Sequence, residues 1–357
     1  MERPGFSELN NDQRREFVNT QQRFMAWQDA RDRVQATRGS MVWQTKKGAD
    51  YLMRSYYEKS GRRAQKSLGV RSDATENMKA EFDRGREEAK SRFKSIDTVL
   101  RRQSAINRAV SLGRVPRTSA NIIRALDQAG ALGTGIRVVG TNAIYAYEAS
   151  AGVMVDASIT TTGDIDLLFD SRKSLRLVAT DEVSEQSLLD LLTSVDKTFV
   201  KTRQSYRAQN ADGYLVDLIK PMRNPPWKKD RDRVSAAAAD DLDASEIEGL
   251  VWLENAPSFE AVAIDERGYP LRIVATDPRV WAIHKHWVAK RVDRDPLKKQ
   301  RDTAQARTVG AMVALHMPQL GFETDELRML PKDVVEAAEH LFIGPLDDIA
   351  RAGIFTL

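Results

Sequence analysis

Val138-Val139-Gly140-Thr141-Asn142-Ala143-Ile144-Tyr145-Ala146-Tyr147-Glu148-Ala149, followed by Thr162-Gly163-Asp164-Ile165-Asp166-Leu167-Leu168-Phe169-Asp170, is the stretch whose reading decides the fold. Ile136 to Val139 is a β-run that enters a Gly-Thr turn, and a helix through Tyr145–Glu148 follows. Ile165 to Phe169 reads as a short apolar strand of the kind buried on both faces. Side chains alternate along a strand, so Asp164 and Asp166 share a face, roughly 6–7 Å apart. Two carboxylates so close repel each other unless a cation lies between them. Hard dications such as Mg²⁺ take ligands of this kind, usually together with substrate phosphates. The pattern points to phosphoryl- or nucleotidyl-transfer chemistry.

Working outward, a third acid stands at the centre of another apolar run, Leu215-Val216-Asp217-Leu218-Ile219. A charge there is costly to bury unless it is paired or ligates a metal. Two-metal phosphoryl transfer calls for at least three acidic ligands, and Asp217 is the natural third beside Asp164 and Asp166. Gly140 lets the backbone approach a phosphate, the helix start behind it offers free N–H groups, and Thr141 adds a hydroxyl. Tyr147 and Glu148 are placed either to line a nucleotide pocket or, for Glu148, to cap or salt-bridge.

Taken in order, Gly140-Thr141, Asp164-x-Asp166 and Asp217 resemble the polymerase-β-type nucleotidyltransferase superfamily. About 24 residues separate Gly140 from Asp164, more than in its compact members. The longer interval resembles a less-characterised bacterial branch with the pattern G-T-x-A-x-x-A-Y-E…T-x-D-I-D-L-L and a helical tail H-K-x-W…R…K…R-D. The corresponding tail residues are His284-Lys285-His286-Trp287, Arg291, Lys299 and Arg301-Asp302. The resemblance covers about Tyr51 to Leu315. It implies an α+β fold, a nucleotidyltransferase mixed β-sheet core flanked by N- and C-terminal helical regions. It also implies metal-dependent transfer of an NMP group from an NTP to a hydroxyl acceptor, with release of pyrophosphate. Asp164, Asp166 and Asp217 would then be the catalytic metal ligands for Mg²⁺, with Mn²⁺ as an alternative. Gly140, Thr141, Thr162 and Lys285 would bind the nucleotide. His284 and His286, two apart on a helix, point to different faces and make a poor metal pair, and Asp302 is expected to pair with an arginine.

Bulk properties bound the rest. The 357-residue chain has no cysteine and four histidines, which removes disulfides, thiolate zinc sites and thiol catalysis. No run approaches the roughly 18 apolar residues of a membrane helix, and the first residues lack a secretory apolar region. These features fit a cytoplasmic protein with no membrane partner. No Walker-type loop and no serine elbow is present. Residues 1–113 hold 24 Lys/Arg against 15 Asp/Glu, and the remainder 31 against 36. A basic front on an acidic body suggests nucleic-acid contact through the N-terminal helices. Apolar aromatics on those helices would also allow an oligomer.

The expected organisation is a basic helical region over 1–114, a catalytic core over 115–276 and a helical region over 277–357. Glu8 to Arg114 is read as helical throughout, with Met41, Val42, Tyr51, Leu52, Tyr56 and Tyr57 on apolar stripes and a third, long helix capped at Ser72-Asp73. Breaks are expected at Lys59-Ser60-Gly61, a mixed-charge loop at 224–233 and a weakly patterned segment at 236–243. Gly152 to Ile159 reads as strand-like, and Leu250–Leu253 and Pro270–Val274 as strands turned at Gly268. The acceptor is open between RNA, protein and a small molecule. The alternative reading is a non-catalytic nucleic-acid- or protein-binding module on the same fold.

Overall fold

The computed structural model describes residues 5–57, 63–170, 172, 177–178, 185–222, 241–322 and 327–351. The expected break at Lys59-Ser60-Gly61, the loop at 224–233 and the segment 236–240 lie outside the described residues.

The chain begins with β1 (Phe6–Glu8) and α1 (Asn11–Ala36), whose start is fixed by reciprocal bonds between Asn10 and Gln13. Then come β2 (Ser40–Lys46), β3 (Ala49–Tyr57) and β4 (Arg63–Val70), an antiparallel sheet in the order β2-β3-β4. The expectation of helix here is overturned. Val42, Trp43, Tyr51, Tyr56 and Tyr57 are β-branched or aromatic, and the Lys47-Gly48 turn, with φ of 51° and 82°, closes a two-residue hairpin. The long helix is present as α2 (Asp73–Ala109), 37 residues and about 55 Å at ~1.5 Å per residue, capped by Ser72 as expected.

The core follows with α3 (Arg117–Gln128), β5 (Ile136–Val139), a single 3₁₀ turn at Gly140–Ala143, α4 (Ile144–Ala151), β6 (Val153–Val155), α5 (Ala157–Thr160) and β7 (Asp164–Phe169). After two short strands, β8 (Leu177–Val178) and β9 (Glu185–Gln186), come α6 (Leu188–Val195), β10 (Val200–Lys201), β11 (Arg207–Gln209) and β12 (Leu215–Pro221). The chain continues with β13 (Ser245–Ile247), α7 (Leu250–Asn255), β14 (Ser258–Ile264) and β15 (Pro270–Thr276). The helices α8 (Pro278–Lys290), α9 (Pro296–His316), α10 (Lys332–Ala338) and α11 (His340–Arg351) finish it. Both α8 and α9 start with Asp-Pro, the aspartate capping and the proline in the first turn.

Two further readings are corrected. Leu250–Leu253 is helix, not strand, because an apolar run of four carries no period and Gly249 in the left-handed region starts a new element. The partner of β15 is β14, running antiparallel through the turn at Gly268. Of the strand-like run 152–159, only Val153–Val155 is extended, paired with β1, and α5 follows.

The architecture is α+β around a mixed sheet in the order β10-β11-β12-β7-β5, with β13 also on β12. Strand β7 runs parallel to β12 and antiparallel to β5. Ile136, Val138, Ile165, Leu167, Phe169, Val216 and Leu218 are buried together with Ile122 and Ile123 of α3 and Trp281 of α8. The burial of both faces is why these strands read as nearly continuous apolar runs. Among the described residues no helix is long and apolar enough to cross a membrane.

Candidate active site

The parallel pairing of β7 and β12 aligns Asp166 with Asp217 and Asp164 with Leu215, while β5 places Val139 on the other side of Asp166. Paired residues share a face, so Asp164, Asp166 and Asp217 lie on one face of two neighbouring strands. Immediately after Val139 the backbone turns at Gly140, where φ is +60°. A Cβ at Gly140 would lie 1.9 Å from Oδ2 of Asp166, so the position accepts only glycine while that carboxylate stays in place. The Gly-Thr turn and the D-x-D strand, distant in sequence, are therefore one interlocked unit.

The surroundings of the carboxylates differ. Asp166 is partly buried, and burial together with the neighbouring Asp164 and Asp217 pushes its carboxyl up to about 6, while Lys285 and Arg301 act in the opposite direction. Thr162 donates its hydroxyl to Oδ1 of Asp164. Asp217 is buried and receives two bonds of 2.6 Å from Nε and Nη2 of Arg207, the residue directly opposite it on β11. Among the described residues, no group of three or more His, Cys, Asp or Glu side chains is gathered closely enough to hold a metal ion.

The rim of the turn is braced from the C-terminal helices. Trp281 Nε1 donates to the Gly140 carbonyl at 3.2 Å, and Asn142 Nδ2 donates to the Asp164 carbonyl at 2.8 Å. Thr141 is buried, and its hydroxyl accepts from Gln305 Nε2 at 3.1 Å, so it faces the protein interior rather than an open phosphate site. Lys285 Nζ lies 2.8 Å from Oδ1 of Asp302, and Arg294 binds the other oxygen through Nε and Nη2 at 2.7 and 2.6 Å. The expected pairing of Asp302 with an arginine is thus observed, with Lys285 as a second partner. The Nε of Arg301 is buried without a hydrogen-bond partner.

Beside Gly140 and Asp166 opens a cleft of about 330 Å³, walled by Trp281, His284, Lys285, Trp287 and Arg294. That volume lies in the range of small-molecule sites. Tyr147 and Glu148 do not reach it. Tyr147 is fully buried with its hydroxyl donating to the Thr276 carbonyl at 2.8 Å, and Glu148 is salt-bridged to Arg114 at 3.0 Å. The pocket-lining alternative for this pair is corrected: each fills the core under α4. His284 and His286 point apart, His284 toward Trp252 and Trp287, His286 toward His340.

A family model described as Nucleotidyltransferase matches residues 117–330. The chain belongs to that nucleotidyltransferase family. No curated protein and no solved structure matches it. The nucleotidyltransferase region begins at the first residue of α3 and takes in β5, β7, β12 and both helices α8 and α9, so every residue of the cleft lies within it. Arg207, Trp281, Arg294 and Gln305 were not singled out from the sequence. Only the β11–β12 register and the packing of α8 and α9 against the turn reveal them, and no local sequence signal does.

Proposed function

We propose that the protein transfers an NMP group from an NTP to a hydroxyl acceptor, releasing pyrophosphate. The observation that carries this reading is the interlock of Gly140 with Asp166, beside Asp164 on the same strand and Asp217 on the neighbouring one, at a cleft lined by Lys285, Arg291 and Arg294 together with Glu248 and Asp293. The acceptor oxygen would bond to the α-phosphorus as the bridging P–O bond to the β-phosphate breaks, the acceptor proton passing to a carboxylate of the site.

The donor chemistry, carboxylate oxygens, is that of hard dications, and a bound ion would have to draw the carboxylates together, since among the described residues no three such side chains are gathered closely enough to hold one. Asp164 and Asp166 offer carboxylate oxygens on one face, and the Asp166 carboxyl is raised first by burial and then by Asp164 and Asp217 beside it. Asp164, Asp166 and Asp217 would hold Mg²⁺ or Mn²⁺, which when bound neutralises phosphate charge and acidifies the acceptor hydroxyl. Gly140 would let the phosphates come close to the backbone, and Lys285, Arg294 and Arg301 would offset their charge. Catalysis in such a site is positioning and charge stabilisation.

A second reading, a non-catalytic binding module on the same fold, is favoured by one feature: both oxygens of Asp217 are held by Arg207. Calorimetric titration with each of the four NTPs, with and without Mg²⁺, separates the two. Magnesium-dependent binding that the Asp164→Asn/Asp166→Asn variant loses, together with transfer abolished in Asp166→Asn at unchanged thermal stability, is the expected result. Normal turnover by Asp166→Asn would sink the assignment. Metal-independent binding without turnover would favour the module.

A further inference from the structure

Residues 38–71 carry nine Lys/Arg and two Asp/Glu. Much of this segment is the sheet β2–β4, and its register divides the side chains between two faces. Trp43, Leu52, Arg54 and Gly69 share the face toward α2, where the Arg54 guanidinium lies 4.1 Å over the Phe82 ring and a Cβ at Gly69 would meet Thr75. The opposite face carries Val42, Tyr51, Tyr57 and Val70, with Lys46 and Arg63 at its ends and with Met53 and Ser55 buried at its centre. Val42, Tyr57 and Val70 are 46, 43 and 49% exposed, an unusual concentration of apolar and aromatic surface on so small a sheet.

Arg38 lies over the Tyr57 ring at 6.0 Å from its centre. Lys46, Lys47 and Arg63 are exposed, and among the described residues no carboxylate pairs with any of them, whereas Arg71 is bound to Asp50 and Glu76. Lys47 holds φ of 51° at the tip of the hairpin, a conformation that asparagine or glycine adopts at less cost. A lysine there keeps a charge at the outermost point of the turn.

An aromatic sheet face edged by unpaired cations matches a single polynucleotide strand, whose bases stack on rings and whose phosphates meet the rim. A duplex keeps its bases inside and would leave Tyr51 and Tyr57 unused. We propose that the outer face of the β2–β4 sheet binds single-stranded nucleic acid. This site goes beyond the transfer reaction and stands on the sheet alone. It also moves the nucleic-acid contact from the N-terminal helices to the sheet between them.

The test is fluorescence anisotropy of the full-length protein with a labelled single-stranded RNA or DNA oligonucleotide and with the matching duplex, at rising NaCl. Single-strand binding tighter than duplex binding, weakening linearly on a log–log salt plot, is expected. Lys46→Glu/Lys47→Glu/Arg63→Glu should weaken binding by at least about tenfold and flatten the salt slope. Tyr51→Ala/Tyr57→Ala should weaken it about tenfold while leaving the slope unchanged. Magnesium-dependent NTP binding in the cleft should be unchanged in both variants, showing that the fold is intact. Single-strand binding that is absent, no tighter than duplex binding, or unchanged in both variants overturns the proposal, and leaves the apolar face to a protein partner. Loss of NTP binding in the wild type with oligonucleotide binding as expected would remove the transfer reading and keep this one.

Discussion

At Gly140 the backbone lies in the left-handed region and the space a side chain would take is filled by the Asp166 carboxylate. Gly140→Ala must move one or the other. A displacement of that size in a positioning site costs about 100-fold in rate, so transfer should fall by at least that much while circular dichroism is unchanged; near-normal turnover would contradict the interlock. The residues that create this constraint were legible: Gly140, Asp164, Asp166 and Asp217 were picked out because their residue types at those positions serve few purposes besides charge chemistry. The orientation of Thr141 was not legible, since whether a hydroxyl faces a ligand or Gln305 depends on a helix 164 residues away. Arg207 was hidden for the same reason, because its place opposite Asp217 is a matter of strand register.

Elements α8 and α9 meet at Asp302, a fully buried carboxylate bound by Lys285 from one helix and by Arg294 from the loop between them. Burial alone would raise its carboxyl, yet the two cations hold it below its ordinary value. Asp302→Asn should destabilise the fold by about 3 kcal/mol, since breaking a buried pair leaves charge uncompensated, and should raise KM for the NTP by releasing Lys285. An unfolding midpoint and a KM both equal to wild type would contradict this. On the same helix α8, His284 is buried between Trp252 and Trp287 and its imidazole is pushed down to about 3, chiefly by burial and then by Lys285. Its unfolded value is near ~6.5, so between those values the unfolded chain binds the proton and the folded chain does not. Stability is therefore full above pH ~6.5 and falls as pH drops toward ~3, by about 1.4 kcal/mol per unit for this group. His284→Phe should flatten the dependence of the urea midpoint between neutral and mildly acid pH; an unchanged slope would assign the acid sensitivity elsewhere. The long helix capped at Ser72 and a helical C-terminal region were legible at this scale, as α2, α8 and α9 show. The β2–β4 sheet was missed because charges interleaved with aromatics suit either period, and only the Lys47-Gly48 turn decides for strands.

Across the whole molecule, the N-terminal helices are joined to the nucleotidyltransferase core through a buried polar junction. Asn107 on α2 donates to the Gly268 carbonyl at 2.8 Å and accepts from Thr20 of α1 and Gln103, each at 2.9 Å. Asn107→Ala strands those partners without bonds and should cost about 2 kcal/mol. Hydrogen exchange should then rise first in α1 and α2 while β7 and β12 stay protected; uniform protection loss would mean the two parts unfold as one. Read alone, the sequence determined the α+β class, the strand and turn carrying the D-x-D motif, the strand with Asp217 at its centre and the long capped helix. Each of these follows from local rules: side-chain alternation, capping chemistry, and the cost of burying charge. The tertiary structure decided what those acids face. It set the register that places Asp217 beside Asp166 and beside Arg207, turned Tyr147 and Glu148 into the core, and walled the cleft with α8 and the loop after it. Such outcomes depend on packing between segments far apart in the chain, where no local preference of backbone or side chain carries the information.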